Sequence, residues 1–306
     1  MADITLLEAA KHSQDELERV VSKIIVENSP VLEQLPMRTI NGPAYRYNLE
    51  SSLGTIGFRG VGGSWTPDAG VINPQFESTV IMGGEVKVDN YEVQVMSNYL
   101  DLKAEKYRMK ARQAGFTFSE NFFEGDTAVT PYGYDGIRKR ITGGQLLAQT
   151  AGGVTLTLAM LDKLIDTVVG GPDAIYMNKT LRRKVTELVR TQTGTMRIDT
   201  AQDAFGRQQM AYNGVPIRIV ERMDDATTYL GFDEDDGSGN LDTASIYAVK
   251  FGTDFCHGIQ NMSLPSVKDF GEVQAGPYHL GRIEWYVGLV VKHPRSIARL
   301  SRINDA

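Results

Sequence analysis

The chain has 306 residues, 42% of them hydrophobic, which is enough to bury a core in one or two domains and excludes an intrinsically disordered protein. The formal charge of −6 at pH 7 argues against a dedicated nucleic-acid binder, because phosphate binding needs concentrated positive charge. The single cysteine, Cys256, excludes an intrachain disulfide and a cysteine-based zinc site and fits a reducing compartment. The N-terminus has no signal-peptide pattern and no apolar run reaches about 18 residues, so we expect neither secretion nor a membrane span.

The first predicted element is an amphipathic helix. Residues Thr5 to Glu27 carry apolar side chains at helical spacing, such as Leu6, Leu17 and Val21. Pro30 ends the pattern, because the residue before a proline is pushed out of the α-helical region. Such a terminal helix either packs on its own domain or lies as an arm on a neighbouring subunit, and the sequence leaves both open.

An extended region follows this helix. Alternating apolar and polar residues predict three strands, at Ala44–Leu49, Thr55–Arg59 and Glu85–Asp89. Between the last two lies a stretch rich in Gly and Pro that carries Trp65. Since the region has too few apolar positions for a core of its own, it predicts a long hairpin arm that is stable only when a partner covers it. We therefore expect the arm, from about Ser51 to Ile81, to act between subunits, with Trp65 as a contact.

Residues Tyr91 to Glu124 predict one long helix, with apolar residues recurring at intervals of three and four. Basic residues cover more than half of its circumference, so most of the helix is expected to be solvated or to face a polar partner. The segment Asn121–Ile141 then stops the helix and returns the chain through a compact turn. This segment predicts a hinge and carries no catalytic group.

The remaining sequence alternates between helical and strand patterns, which predicts a compact α/β lobe of about 110 residues. The predicted elements are a helix at Thr155–Val169, a strand at Ala174–Met177, a helix at Lys179–Arg190, and strands at Val215–Val220 and Ser245–Phe251. Residues Tyr278 to Leu300 are rich in Val, Ile, Trp and Tyr. They predict a strand pair that returns to the part of the fold that contains the long helix.

Signatures of catalysis and of cofactor binding are missing from the sequence. Gly60 and Gly62 begin a dinucleotide-binding pattern, but its third glycine would fall at Trp65. Neither a Walker-type phosphate loop nor a nucleophile elbow occurs. The histidines are scattered and the cysteine is expected to be a small core residue; these side chains are His12, His257, His279, His293 and Cys256. We therefore predict no enzymatic activity and no cofactor.

One acidic segment has part of the spacing of a calcium-binding loop. Glu234, Asp236 and Ser238 match the first, third and fifth positions of an EF-hand loop, but the twelfth position, which should be a bidentate glutamate, is Ser245. We therefore expect a solvated acidic hairpin tip and no bound metal, with weak calcium binding as the alternative.

Charge is unevenly distributed within the predicted α/β lobe. Residues Lys179 to Arg207 include seven basic and three acidic side chains, whereas Glu221 to Asp242 include eight acidic side chains and one basic. Opposite patches on one lobe allow identical copies to attach head to tail and close into a ring. We predict that the acidic turn Asp233–Asp242 of one copy approaches the Lys179–Arg207 surface of the next, although two solvated faces would give the same pattern. The residues expected at this contact are Asp235, Asp236, Arg182 and Arg183.

In chain order, the segments resemble those of tailed-bacteriophage major capsid proteins with the HK97-like fold. The start ITLLEAAK resembles the N-terminal arm of this family, LPMRTINGPAYRYNLESSLGTIGFRG its extended E-loop, and the helix ending in NFFEGD the spine helix of its peripheral P-domain. AIYMNKTLRRKV and YNGVPIRIVERM are similar to the core of its axial A-domain, and RIEWYVGLVVKHPRSIARL to its closing strands. The resemblance covers nearly the whole chain.

The resemblance implies an α+β fold in five segments: an N-terminal arm at 1–39, an extended β-hairpin E-loop at 40–90, a P-domain with spine helix at 91–150, a compact α/β A-domain at 151–270, and strands at 271–306 that return to the P-domain. It implies a structural subunit that self-assembles into hexamers and pentamers of an icosahedral capsid around double-stranded DNA, in a virion assembled in the host cytoplasm. An encapsulin-like nanocompartment shell and an α/β enzyme with an unrecognised site are the alternatives.

The implied partners are further copies of the chain, a portal protein and a separate scaffolding protein, with a decoration protein left open. Some family members crosslink through an E-loop lysine, but the only lysine of this segment is Lys87, near its base, so we expect no crosslink. Contact with the packaged DNA is expected to be weak, independent of sequence and easily screened by salt. The residues expected to face the DNA lie in the P-domain and are Lys103, Lys106, Lys110, Arg138, Lys139 and Arg140.

Overall fold

The structure is a computed structural model that describes residues 4–13, 15–52, 54–68, 70–96, 101–191, 199–202, 205–221, 229–274 and 276–305. Within these ranges the α-helices are α1 (Leu6–His12), α2 (Glu16–Glu27), α3 (Asn90–Met96), α4 (Leu102–Glu124), α5 (Ile137–Arg140), α6 (Leu158–Thr167) and α7 (Lys179–Thr191). The strands are β1 (Ile4–Thr5), β2 (Pro36–Thr39), β3 (Ala44–Ser52), β4 (Val71–Ser78), β5 (Val80–Asp89), β6 (Leu146–Ala148), β7 (Val154–Thr155), β8 (Ala174–Met177), β9 (Asp199–Gln202), β10 (Gln208–Tyr212), β11 (Val215–Ile219), β12 (Glu234–Asp235), β13 (Leu241–Val249), β14 (Cys256–Gln260), β15 (Ser266–Glu272), β16 (Tyr278–Val291) and β17 (Ile297–Asn304).

The first lobe is built on a six-stranded sheet in which β16 is the central strand. This strand pairs antiparallel with β5 along one edge and with β14 and β15 along the other. β14 pairs in turn with β2, and β2 with β1. Helix α4 lies on this sheet, and α2 packs on α4. Phe118 of α4 stacks on Trp285 of β16 with ring centroids 5.3 Å apart, so two fully buried aromatic side chains anchor the helix to the sheet.

The second lobe is built on a nine-stranded sheet with the order β6, β17, β13, β8, β11, β10, β9, to which β7 and β12 are attached. Every residue of β8, Ala174–Met177, is buried, as in strands that are covered on both faces of a sheet. Ile175 and Met177 join the hydrophobic cluster that includes α6 and α7. Ala174 and Tyr176 join the cluster of the first lobe. The sheet of the second lobe is therefore packed between its own helices and the first lobe.

The arm consists of the antiparallel ribbon of β3 and β4 and the loop 54–68 that connects them. Almost all of β4 is exposed, as expected for a ribbon with neither face covered. The predicted hairpin is thus present, but Val80 and Ile81 belong to β5 in the first lobe, so the arm ends at Ser78 and not at Ile81. The exposed ribbon has no core of its own.

The strand predicted at Thr55–Arg59 is wrong, since these residues form no strand. The carbonyl of Gly57 accepts a hydrogen bond from the indole N–H of Trp65 at 2.8 Å, and Arg59 stacks over the same ring at 4.6 Å from its centroid. The alternating pattern therefore belongs to an irregular tip that folds around a tryptophan. A period of two residues does not distinguish such a tip from a strand.

The single helix predicted over Thr5–Glu27 is two helices. The Asp15 carboxylate accepts hydrogen bonds from the backbone N–H groups of Leu17 at 2.9 Å and Glu18 at 3.3 Å, and this N-cap begins α2. Hydrophobic periodicity does not reveal the break, because a polar residue fits position 15 both in one continuous helix and as the N-cap of a second helix.

The prediction of a single helix over Tyr91–Glu124 is also wrong, because Asp101 caps a new helix at the backbone N–H of Ala104. Residues 97–100 lie outside the described ranges. The expectation that most of α4 is solvated holds only for its N-terminal half. Its C-terminal half is buried through Phe116, Phe118, Ser119, Phe122 and Phe123. Gly115 allows α4 to approach α2 closely, since a Cβ there would lie 2.6 Å from the Ile25 carbonyl oxygen.

Among the described helices, none has the length and apolar character required to cross a bilayer.

The predicted strand at Ala174–Met177 and the predicted helix beginning at Lys179 are confirmed.

Four strands, however, belong to a different sheet from the one that the sequence predicts. β17 was expected to return with β16 to the first lobe, yet it pairs with β13, β6 and β7 in the second. Conversely β14 and β15, which fall largely within the predicted segment 151–270, pair with β16 in the first lobe, while β6 lies in the second lobe. Backbone bonds at Pro294–Ser296, including the one from Lys250 N–H to the Ser296 carbonyl at 2.8 Å, turn the chain from one sheet to the other.

The end of α4 is held by close contact between two backbone segments, and this contact generates a prediction. The Gly136 N–H donates to the Gly125 carbonyl at 2.8 Å, and a Cβ at Gly136 would lie 2.5 Å from the Asn121 carbonyl oxygen. We predict that Gly136→Ala lowers the free energy of unfolding by about 1–3 kcal/mol, the usual cost of overpacking, with a lower Tm in thermal melts. Gly144→Ala is the matched control, because nothing lies within 4 Å of a Cβ at that position. Equal melting temperatures for the two variants would contradict the prediction.

Candidate assembly surfaces and the junction between them

The arm ends in apolar side chains that are open to solvent. Ile56, Phe58 and Val61 are 98%, 109% and 109% exposed. Trp65, the contact predicted from the sequence, also lies at this tip but is 62% exposed, because its indole packs against Arg59. The three more exposed residues are not among those predicted. The available signal was the presence of large apolar residues in a Gly-rich stretch that cannot bury them.

Internal hydrogen bonds order the tip before any partner binds. Thr55 donates from its backbone N–H at 3.1 Å and from its hydroxyl at 2.7 Å to the Asp68 carboxylate. Arg59 donates to the carbonyl of Gly63 at 3.1 Å. Because the loop is already ordered, less conformational entropy is lost when its apolar side chains meet a partner.

The basic patch of the second lobe is centred on α7. Arg183 is exposed and Arg182 is half-buried, and neither forms an ion pair with another residue of the described ranges. Lys179, by contrast, is paired with Glu221. Three parts of the predicted patches lie outside the described ranges, namely residues 192–198, which include Arg197, residues 203–204 and residues 222–228.

Asp236 is not available as a surface contact, which corrects the prediction for this residue. It is 1% exposed, and its carboxylate accepts hydrogen bonds from the backbone N–H of Ser238 at 2.6 Å and of Asn240 at 3.1 Å, and from the Ser238 hydroxyl. The hydrogen bonds from Ser238 and then Asn240 hold the pKa of Asp236 well below its usual range. The neighbouring Asp235 is exposed and remains available to a partner.

Glu234 is likewise used inside the lobe and not in a solvated hairpin tip. It is 4% exposed, its carboxylate accepts from Arg299 Nη2 at 2.8 Å, and Ser245 donates its hydroxyl to the same group. Ser245, which stands where a calcium loop needs a bidentate glutamate, therefore serves as a donor. Within the described ranges no group of three or more His, Cys, Asp and Glu residues is placed to hold a metal.

Arg138 of α5 joins the two lobes. Its Nη1 lies 3.1 Å from a carboxylate oxygen of Glu124 at the end of α4 and 3.6 Å from one of Glu234 in β12. Burial raises the pKa of Glu124, while the charge of Arg138 acts in the opposite direction. The guanidinium therefore compensates the charge of two carboxylates, one at the end of α4 and one in β12.

The next two residues of α5 bind other parts of the molecule. Lys139 Nζ donates to the carboxylates of Asp126 at 2.6 Å and Asp135 at 2.9 Å, and so closes the loop between α4 and α5. Arg140 donates from both terminal nitrogens to Glu77 in β4, with 2.9 Å between Nη2 and Oε2. The cluster predicted to face DNA is thus paired with carboxylates of the chain itself.

The basic residues of α4 are paired in part. Lys103 forms an ion pair with Asp269, and Lys106 lies 3.1 Å from a carboxylate oxygen of Glu92. Lys110 is exposed and forms no ion pair with a described residue. Because an ion pair has little net charge, five of the six cations predicted to face DNA have most of their charge compensated. Their contact with DNA stays a prediction.

The comparisons with known proteins find no match to a family model and none to a curated protein. The fold, however, is similar to the holo-SrpI encapsulin complex from Synechococcus elongatus, with a TM-score of 0.67 at 14% identity over 90% of this chain and 88% of that one. It is similar to Microbacterium phage Oxtober96, with a TM-score of 0.65 at 12% identity over 90% of each chain. The capsid of a native GTA particle gives 0.63 at 14% identity, again over 90% of each chain.

Each of these similarities extends over nine tenths of the chain. At such low identity they show the fold. The chain therefore has the HK97-like fold of mixed α and β structure, which confirms the fold predicted from the sequence.

The hydrogen bonds of Asp236 generate a prediction about pH. An aspartate whose pKa is depressed in the folded state stabilises it above the unfolded pKa of about 3.9, and this contribution is lost as the pH falls through the lower folded value. We predict that Asp236→Ala lowers Tm at neutral pH, and that the difference from the wild-type chain narrows as the pH falls below about 4. Thermal melts across this pH range test it, with Asp242→Ala at an exposed residue as the control. A difference that stays constant with pH would contradict the assignment.

Proposed function

We propose that the chain is the structural subunit of an icosahedral viral capsid, which self-assembles into hexamers and pentamers and encloses double-stranded DNA. The observation that carries this proposal is the arm, an exposed two-stranded ribbon with three apolar side chains open to solvent at its end. Because such a ribbon is only marginally stable alone in water, its natural partner is another chain. The phage and GTA structures with the same fold support the proposal.

An encapsulin-like nanocompartment shell is the second candidate. One observation favours it, the similarity to the SrpI encapsulin. Phage and GTA particles are more numerous among the similar structures, which favours the viral shell. For both candidates we propose a role without enzymatic activity, since the similar structures are shells.

Within this proposal the arm is the E-loop, the first lobe is the P-domain with α4 as its spine helix, and the second lobe is the A-domain. Sheet pairing modifies the predicted boundaries. We assign β14, β15 and β16 to the P-domain and β6 and β17 to the A-domain, because hydrogen-bonded strands move together.

The proposed partners follow from the shell. They are further copies of the chain, a portal protein and a separate scaffolding protein, with a decoration protein left open, and the subunit ends in the virion after assembly in the host cytoplasm. We propose that contact with packaged DNA is weak, because most of the basic residues of the first lobe are already paired with carboxylates.

Removal of the arm tip tests the proposal most directly. The register places Ser52 opposite Val71, so an Asn-Gly turn can replace residues 53–70 without disturbing the remaining ribbon. We expect the wild-type chain to form closed particles in negative-stain microscopy and the variant to form none. The thermal transition of the body should shift by less than about 4 °C, because the tip buries no core. Closed particles from the variant would disprove the role of the tip.

Charge reversal tests the contact proposed between second lobes. Asp235→Lys should weaken capsomers at low salt, and Arg183→Glu should restore them, because both residues are exposed. Each exposed pair contributes only about 0–1 kcal/mol, but a ring repeats the contact at every subunit. Sedimentation velocity at low and high ionic strength measures the capsomer fraction. Normal capsomers from the single variant at low salt, or no recovery in the double variant, would show that the patches do not meet.

A further inference from the structure

Three consecutive basic residues of the short helix α5, Arg138, Lys139 and Arg140, connect this helix to other parts of the fold. Lys139 bridges Asp126 and Asp135 and so closes the loop that precedes α5. The close backbone contact between Gly125 and Gly136 holds the same loop against the end of α4. The residues on either side of Lys139 therefore project from a common rigid base.

Arg140 connects this helix to the arm and to the sheet of the first lobe at once. Its Nε donates to the Asp135 carbonyl at 2.8 Å, and its Nη2 donates to the Leu289 carbonyl at 3.3 Å and to Glu77 at 2.9 Å. The side chains of Arg140 and Glu77 are 16% and 22% exposed, so the ion pair is only weakly screened by solvent. Among ion pairs between described residues, it is the one that joins the arm to a lobe.

Two other polar contacts at the base of the arm are single hydrogen bonds. The Tyr47 hydroxyl donates to the Val291 carbonyl at 3.4 Å, and Arg38 donates to the Tyr45 hydroxyl at 3.0 Å. A single hydrogen bond permits rotation about its own axis. Two parallel N–H···O bonds from a planar guanidinium to a carboxylate define an orientation, which makes the Arg140–Glu77 pair the more directional contact.

Arg138 connects the same helix to the second lobe. Its partner Glu234 is almost fully buried and is shared with Arg299 of β17, so the contact reaches the central strands of the second sheet. Beside it, Phe123 of α4 packs on Tyr176 of β8 with ring centroids 5.3 Å apart. The aromatic contact joins the lobes, and the ion pair of Arg138 with the buried Glu234 carboxylate adds electrostatic attraction at the same junction.

We infer that α5 is a positioning element for assembly, in which Arg140 sets the direction of the arm through Glu77 and Arg138 attaches the same helix to the second lobe through Glu234. The inference rests on the proposed function, in which the arm and the second lobe both contact neighbouring copies. Because both ion pairs start from one helix, the angle between the two contact-forming parts is determined within the subunit. A closed ring requires a defined angle, since a small rotation is repeated at every subunit.

The first measurement is hydrogen exchange in the dissociated full-length subunit. Glu77→Gln removes the carboxylate charge while Arg140 keeps its bonds to Asp135 and Leu289, and amides of the arm strands should then exchange about tenfold faster, as the loss of a charged hydrogen bond implies. Arg138→Gln should accelerate exchange in β12 and the start of β13 and leave the arm strands unchanged.

The second measurement is the diameter distribution of assembled particles in electron microscopy. Glu77→Gln and Arg138→Gln should each broaden the distribution of diameters or leave incomplete shells. Glu85→Gln is the matched control, because it breaks the more exposed Glu85–Arg282 pair between two strands of the first lobe and should give wild-type particles. Arg140→Lys keeps the charge but not the two-bond geometry, so it should also accelerate exchange in the arm strands. It takes the place of Glu77→Gln in the experiment if that variant fails to fold.

Wild-type exchange in the arm of both Glu77→Gln and Arg140→Lys, or wild-type particle diameters in all variants of these two ion pairs, would overturn the inference. If the wild-type chain itself forms no shells, the proposed function fails. The exchange measurements on the subunit then decide by themselves whether α5 directs the arm.

Discussion

The fold depends on the burial of phenylalanine side chains at the C-terminal end of α4. Phe118 stacks on Trp285 in the sheet of the first lobe, and Phe123 packs on Tyr176 in the sheet of the second, each with ring centroids 5.3 Å apart. Truncating a buried phenylalanine typically costs about 3–5 kcal/mol, so one helix end contributes much of the free energy that joins the two sheets. Of the ion pairs of α5, that of Arg138 acts at the junction that these aromatic contacts hold together, and that of Arg140 directs the arm.

Hydrophobic periodicity predicts those elements of the fold in which apolar residues repeat along the whole element. The strand Ala174–Met177 agrees with the structure, and the helix beginning at Lys179 ends within one residue of its predicted end. The same pattern does not reveal the breaks at Asp15 and Asp101, because a capping aspartate occupies a position that is polar in a continuous helix as well. It also does not reveal that β17 leaves β16 for the other sheet, since strand pairing is decided by contacts between distant segments.

The candidate contacts are predicted less well, because a count of charges does not distinguish a paired side chain from an unpaired one. Asp236 belongs to an acidic run in the sequence but is buried in its own turn, and Arg140 belongs to a basic run but is paired with Glu77, 63 residues away. Composition does better for apolar residues. The Gly-rich stretch around Phe58 has too few apolar neighbours to form a core, so the sequence predicts an exposed arm, although it singles out Trp65 and not Phe58 as the contact.

The use of charge within the subunit has a consequence for the proposed capsid function. The chain has 38 acidic and 32 basic residues, and the basic residues of the first lobe are largely paired internally, so attraction to phosphates contributes little. In the proposed capsid, the DNA would then be retained by closure of the shell, and the contacts between copies would hold the shell closed. Apolar contacts suit that role, because unlike exposed ion pairs they do not weaken as the salt concentration rises. The structure follows this division, with apolar side chains at the arm tip, where copies are proposed to meet, and ion pairs at α5, where one copy sets its own shape.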